Sequence, residues 1–157
     1  MPESIAIRLV RLAGKKGMRI AVAESCTAGL VASLLGEVPG ASRVLWGSLV
    51  TYTPEAKIAL LGLDRELLER CGEVSQETAL AMATGARGKS GAALAVSVTG
   101  LAGPEGDSSG LPVGTVWIGI SSVIGEEARE YHFTGKRNQI RLAAAREALG
   151  FLCRSIE

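Results

Sequence analysis

Three apolar runs, RIAVAE (residues 19–24), VLWGSLVTYT (44–53) and AALAVSVTG (92–100), each end on polar residues, and stretches with helical spacing separate them. Runs that are apolar nearly throughout belong to strands covered on both faces, which is the habit of parallel sheets wrapped by helices. The intervening segments carry helix punctuation. Ile5, Ile7, Leu9, Val10, Leu12 and Ala13 follow helical spacing behind Ser4, a capping residue, with Gly14 and Gly17 as stops. TAGLVASLLGEV reads as a helix with Thr27 near its start, and Thr53–Pro54 as the cap and first turn of another. Asp64 opens and Gly72 closes a short helix, Ser75 begins an Ala-rich one, and KRNQIRLAAAREALGFLCRSI makes a long amphipathic C-terminal helix. VGTVWIGISSV and EEAREYHF predict a hairpin turning around IGEE. Alternation followed by a hairpin predicts an α/β fold: a single three-layer α/β/α domain with a mixed β-sheet, spanning residues 1–157.

Bulk properties narrow the function. A chain of 157 residues with 47% apolar and 21% charged side chains folds as one globular domain rather than remaining disordered. A net charge of +1 supplies no electrostatic attraction for nucleic acid or an anionic membrane, and 4% aromatic content argues against base stacking. Cys26, Cys71 and Cys153 are odd in number and lack metal-site spacing, so neither a disulfide framework nor a bound metal is expected, and no cofactor. The N-terminus alternates charged and apolar residues, unlike a signal peptide, and no run reaches membrane-spanning length. A cytoplasmic protein acting on a small molecule is the expectation; self-association stays open.

In doubly covered sheets, ligands sit beyond the carboxyl ends of strands. Three strand ends here are polar: ESCT, TYTPEAK and TGLAGPEG. Ser25, set at a turn into a helix, would lie where amide groups favour an anion, an arrangement that can hold a nucleophile beside its oxyanion hole; it would equally serve as a plain capping turn. Cys26 is a rival nucleophile or a small buried apolar residue. A serine nucleophile needs a base. The sole histidine, His132, falls on the hairpin, so a Ser–His–Asp triad is not favoured. Lys57 remains, as a base if desolvation or dipoles favour its neutral form against a reference pKa near 10.4, or as a solvated helix lysine. Tyr52 could orient Ser25 or pass a proton, or simply sit at the strand rim. The Gly-rich loop from Thr99 onward could cradle an anion through its amides. Arg137 and Arg141 share a helix face and suit a phosphate or carboxylate, or belong to a solvated charged face. ARGKSG is not a phosphate loop, because Ala83 stands where the first glycine is required.

Taken together, AESCTAG, VTYTPEAK, GEVSQETA, VTGLAGPEG…PVGTVW and FTGKRNQIR resemble the CinA C-terminal domain family, the nicotinamide-nucleotide amidohydrolases, from about Ile20 to the end of the chain. That resemblance implies deamidation of nicotinamide mononucleotide (NMN) to nicotinic acid mononucleotide and ammonia, in NAD recycling, by a metal-free Ser/Lys dyad. It places the serine on Ser25, the lysine on Lys57 and the tyrosine on Tyr52. It implies an oxyanion hole from the backbone N–H groups around Cys26 and Thr27. Its S-G-x-A-G-P stretch falls on Thr99 to Pro104 and its G-x-R-x-x-x-R on Gly135 to Arg141, so that Thr99, Gly100, Gly103, Arg137 and Arg141 would bind the ribose phosphate. Departures are Thr53 and Pro54, where the family favours serine or asparagine, and Glu73, where alanine is commoner. Some members carry an additional N-terminal nucleotide-hydrolysing domain, for which 157 residues leave no room. The reading from a different class is a non-catalytic nucleotide-binding regulatory module, in which Ser25 only caps a helix.

Overall fold

In the computed structural model, which describes residues 2–157, five strands form one sheet in the order β2-β1-β3-β4-β5. β1 (Ile20–Glu24) runs parallel to both β2 (Leu45–Val50) and β3 (Leu94–Gly100). β4 (Thr115–Ser122) and β5 (Gly125–His132) complete the sheet antiparallel. Six α-helices cover it: α1 (Ile5–Lys15), α2 (Leu30–Gly36), α3 (Pro54–Leu61), α4 (Arg65–Cys71), α5 (Gln76–Ser90) and α6 (Arg137–Ile156). The mixed three-layer architecture expected from the alternation is the one observed. No helix among the described residues is long and apolar enough to cross a membrane.

The two faces of the sheet differ in side-chain size. Successive strand residues point to opposite faces. Ile20 and Val22 of β1, with Leu94, Val96 and Val98 of β3, pack in one cluster with Leu9, Leu35, Leu149 and Leu152 of α1, α2 and α6. The alternate residues Ala21, Ala23 and Ala95 pack in a second cluster with Leu61, Met82 and Ala86 of α3 and α5. Small side chains on this second face let α5 lie close to the strands. The Ser97 hydroxyl donates to the Ala79 carbonyl of α5. Opposite Ser97, Gly119 leaves no space for a side chain: a Cβ there would lie 2.6 Å from the Ala79 carbonyl oxygen. β5 is mostly exposed and charged, which protects the outer edge of the sheet from pairing with another chain.

Helix punctuation is as read at most ends. Ser4, Thr53, Asp64 and Ser75 each accept from the first turn of α1, α3, α4 and α5. Two expectations need correction. The hairpin turns at Val123–Ile124, with Gly125 already paired to Ser122, because the Ser122 hydroxyl accepts from Ile124 N–H and donates to the Gly125 carbonyl. α2 begins at Leu30, three residues beyond Thr27, because Ala28 (φ 49°) and Gly29 (φ 96°) take left-handed conformations that a helix cannot contain.

The close approach of α5 sets a stability prediction. Gly119→Ala forces its methyl into the Ala79 carbonyl and should destabilise the domain by about 1–3 kcal/mol, the usual range for an over-packed core. The urea midpoint falls accordingly; an unchanged midpoint would show that α5 can retreat without cost.

Candidate active site

The three polar strand ends meet at one edge of the sheet. Ser25 follows β1 directly, and its amide donates to the Val98 carbonyl of β3 at 2.9 Å. Thr51 follows β2, and its amide donates to the Glu24 carbonyl at 2.8 Å. The chain then turns at Thr53 into α3, which carries Lys57 inward. Lys57 is completely buried, an exceptional position for a lysine unless its amine is fully partnered. Its Nζ lies 3.0 Å from Ser25 Oγ, 3.1 Å from the Thr51 carbonyl oxygen and 3.0 Å from Glu73 Oε1. The carbonyl and the carboxylate can only accept, so two amine hydrogens go to them. The third direction points at Ser25 Oγ. A neutral amine presents its lone pair there and accepts from the hydroxyl; an ammonium donates to the same oxygen. The geometry therefore serves both ends of a proton transfer between Ser25 and Lys57. Ser25 is 8% exposed, enough to open onto the adjoining cleft.

The turn that presents Ser25 is held from two sides. Glu24, buried at the end of β1, accepts from the amides of Val31 (2.8 Å) and Ala32 (3.3 Å) and from the Ser48 hydroxyl (2.7 Å). Those amides belong to the first turn of α2, which Gly29 cannot cap with a side chain. Glu24 therefore occupies the helix terminus that sequence reasoning reserved for a ligand anion behind Ser25. On the other side, Arg141 donates from Nε to the Cys26 carbonyl (2.9 Å) and from Nη2 to the Thr27 carbonyl (3.0 Å). With those carbonyls engaged, neither the Cys26 nor the Thr27 amide takes part in a backbone–backbone hydrogen bond among the described residues.

A cleft of about 180 Å³ opens beside Ser25 and is lined by Cys26, Tyr52, Glu73, Thr99, Gly103 and Arg137, with Gly100 also on its wall. Gly103 takes φ 81°, where a Cβ would also strike Val113 at 2.6 Å. The Thr99 hydroxyl donates to the Glu73 carbonyl (2.7 Å). Arg137, the first residue of α6, donates to the Gly103 carbonyl and, at 2.7 Å, to the Tyr52 hydroxyl. A larger cavity of about 560 Å³, lined by Pro54, Ile58, Arg65 and Leu68 among others, shares Glu73, Val74 and Asp107 with the cleft as a common wall. No group of three His, Cys, Asp or Glu side chains converges among the described residues in a way that could hold a metal ion.

Most candidate residues thus come together, with two reassignments. Tyr52 sits at the cleft, half exposed, but its hydroxyl meets Arg137 instead of Ser25. Arg141 does not line the cleft; its guanidinium is committed to the Ser25 turn and to Asn138. His132 lies on β5, paired with Glu130. Sequence reasoning missed Glu24 and Thr51 and took Glu73 only as an unusual residue. A carboxylate closing an apolar strand before a glycine-led helix is a readable signal for Glu24. Nothing local marks the Glu73–Lys57 contact, which spans sixteen positions.

Cys26 makes a poor nucleophile in this setting. Burial pushes its thiol up to about 11, so almost no thiolate exists at neutral pH. Cys153 is also raised by burial, whereas Cys71 is only half-buried. Iodoacetamide at neutral pH should therefore label Cys71 first and spare Cys26, read by peptide mass spectrometry. Labelling of Cys26 as fast as Cys71 would establish a reactive thiolate beside Ser25.

Comparison with known proteins agrees with this arrangement at the level of family. The chain matches the CinA C-terminal domain model over residues 2–156. A CinA-like protein of Geobacter metallireducens is 46% identical over 154 residues, which cover 98% of this chain and 37% of that protein. A CinA-like protein of Dictyoglomus thermophilum is 44% identical over 149 residues, 94% of this chain and 36% of that protein. The chain thus spans little more than a third of these curated relatives. Among solved structures, the competence/damage inducible protein CihA from Agrobacterium tumefaciens superposes with a TM-score of 0.92 at 40% identity, covering 98% of both chains. A CinA superfamily protein from Klebsiella pneumoniae superposes at 0.94 with 32% identity, covering 97% of this chain and 95% of that one. By sequence and by structure, the chain belongs to the CinA C-terminal domain family.

Proposed function

We propose that this domain is a serine-type amidohydrolase that deamidates NMN to nicotinic acid mononucleotide and ammonia, returning the nucleotide to NAD synthesis. The observation that carries the reading is the 3.0 Å contact between Ser25 Oγ and the buried Lys57 Nζ. A hydroxyl and an amine held at that distance at the wall of a cleft form a nucleophile–base pair. The substrate class comes from the family resemblance, and the cleft is compatible with it. Alone, the cleft is smaller than the roughly 300 Å³ at which ligand pockets begin. With the adjoining cavity it has room for a mononucleotide. Arg137 at the rim offers a cation to the phosphate.

In this mechanism Lys57, neutral, takes the Ser25 proton as Oγ attacks the carboxamide carbon. The carbonyl π pair moves to oxygen, and the Cys26 and Thr27 amides stabilise the oxyanion. Lys57 then passes the proton to the departing nitrogen, and the C–N bond breaks to release ammonia and leave an ester on Ser25. Water attacks that ester, its proton passing through Lys57 back to Ser25 Oγ, and the acid is released.

Incubation with NMN, assayed for ammonia and the acid, tests the reading directly. Release should be the same with and without EDTA. It should be lost in Ser25→Ala and retained in Cys26→Ala. Lys57→Met, which keeps the apolar stem, should lower turnover at least about 10²-fold, the lower end for general-base catalysis. Lys57→Arg should fail equally, because guanidinium does not surrender its proton. No ammonia from the wild type would leave the nucleotide-binding module as the reading, and a folded Lys57→Arg with normal turnover would remove Lys57 as the base.

Arg137 gives an independent check on the substrate. Arg137→Ala should weaken the phosphorylated substrate by about 10- to 150-fold, the equivalent of a charge-assisted hydrogen bond worth roughly 1.5–3 kcal/mol. Free nicotinamide should hardly change. Equal losses on both would show that Arg137 does not read the phosphate.

A further inference from the structure

Glu73 touches the buried amine yet is unlike its other two partners. Ser25 and the Thr51 carbonyl are neutral and buried, whereas the Glu73 side chain is 41% exposed and lines the cleft. Its Oε1 lies 3.0 Å from Lys57 Nζ. The backbone of Glu73 is pinned on both sides. The Gly72 carbonyl accepts from the Ser75 hydroxyl (3.2 Å) and the Thr78 hydroxyl (2.6 Å), and the Glu73 carbonyl accepts from Thr99. The capping of α5 and the end of β3 thus fix where the carboxylate can reach.

Other ionisable groups near the amine are engaged elsewhere. Glu24 faces α2 and Ser48, and Arg141 faces the carbonyls of the Ser25 turn. Cys26 keeps its proton at neutral pH. The Tyr52 hydroxyl is on Arg137, and on α3 itself Glu55 is exposed in the first turn. Glu105 and Asp107 line the cleft, and neither pairs with Nζ. Glu73 is therefore the one carboxylate among the described residues in contact with Lys57.

We propose that Glu73 is a positioning residue for the base: its carboxylate holds the Lys57 amine against Ser25 and stabilises the ammonium that forms when Lys57 takes the Ser25 proton. This rests on the reading of Ser25 and Lys57 as nucleophile and base. Nucleophile, base and orienting carboxylate then form a chain of three groups, the logic of a catalytic triad with lysine in the middle. The arrangement has a cost with a definite sign. A negative neighbour in contact favours a charged amine over a neutral one.

The test compares Glu73→Gln and Glu73→Asp with the wild type by two readouts. The first is the titration of Lys57 itself, followed by NMR of ¹³Cε-labelled lysine, with the signal assigned through Lys57→Met. The second is the pH dependence of NMN deamidation. In Glu73→Gln the Lys57 midpoint should fall by at least about one pH unit, the lower range for removal of an opposite charge in contact. The acidic limb of kcat, where the rate rises with pH as Lys57 loses its proton, should move to lower pH by the same amount, while the plateau kcat drops and KM does not rise. Glu73→Asp, which keeps the charge, should hold the midpoint near that of the wild type. A folded Glu73→Gln with an unmoved or raised midpoint overturns the proposal, as does a loss of kcat equal at every pH. The two claims fail separately: a lowered midpoint without ammonia release from the wild type retires the deamidase reading and upholds the Glu73–Lys57 coupling, and an unmoved midpoint with ammonia release does the reverse.

Discussion

A lysine amine with no exposure to water must find all its partners inside the protein, and this requirement organises the site. The partners of Lys57 come from the turn after β1, the end of β2 and the segment between α4 and α5. None can be moved independently. The Thr51 carbonyl is fixed because the Thr51 amide extends the β1–β2 pairing to Glu24. Ser25 is fixed because its amide extends the β1–β3 pairing to Val98. The parallel sheet thus sets two of the three oxygens through its own hydrogen-bond ladder, and α3 needs only to start at the right residue to deliver Nζ between them. Thr53 and Pro54 set that start, by capping and by a backbone already shaped for the first turn.

The Ser25 turn depends on two charged residues, Glu24 and Arg141, whose hydrogen bonds go elsewhere than to the Lys57 amine. A left-handed alanine is uncommon and costs energy that the surroundings must repay. Glu24 contributes by taking the orphan amides of α2 and the Ser48 hydroxyl of β2. Arg141 contributes by taking two carbonyls of the turn. Together they orient the peptide units after Ser25 so that carbonyls face α6. An oxyanion hole requires donors placed before the reaction begins. In the proposed mechanism that placing falls to a carboxylate and a guanidinium on opposite sides of one short loop.

Legibility in the sequence followed the range of the interactions. Strand ends, helix caps and the mixed sheet were readable because periodicity and capping act within a few residues: Ser4, Thr53, Asp64 and Ser75 all cap as expected. Ser25, Tyr52 and Thr99 were readable because each lies at the carboxyl end of a strand, and Arg137 because it begins a helix, but only the family resemblance joined them with Lys57, the fourth residue of α3, into one set. The start of α2 was misplaced because Thr27 resembles a cap, while the left-handed turn at Ala28 is enforced by Glu24 and Arg141 from outside the segment. Glu73 had no local signature at all. Its neighbours Gly72 and Ser75 announce a loop between helices, and only the folded chain brings its carboxylate to Lys57.

The two arginines of α6 show why spacing alone does not assign a role. Arg137 and Arg141 are one turn apart on one face, and four residues of helix advance about 6 Å. That distance separates the rim of the cleft from the back of the Ser25 turn. A guanidinium has five N–H donors. Arg141 directs Nε, Nη1 and Nη2 to oxygens of the protein, whereas Arg137 uses Nη1 and Nη2 on Gly103 and Tyr52 at the mouth of the cleft. Arg137 therefore remains a cation with donors to spare beside the loop that carries Gly103, where a ligand anion would enter. The helix pattern that made the pair look equivalent is the same feature that gives them different surroundings: one braces the turn that carries Ser25, and the other stands at the mouth of the cleft.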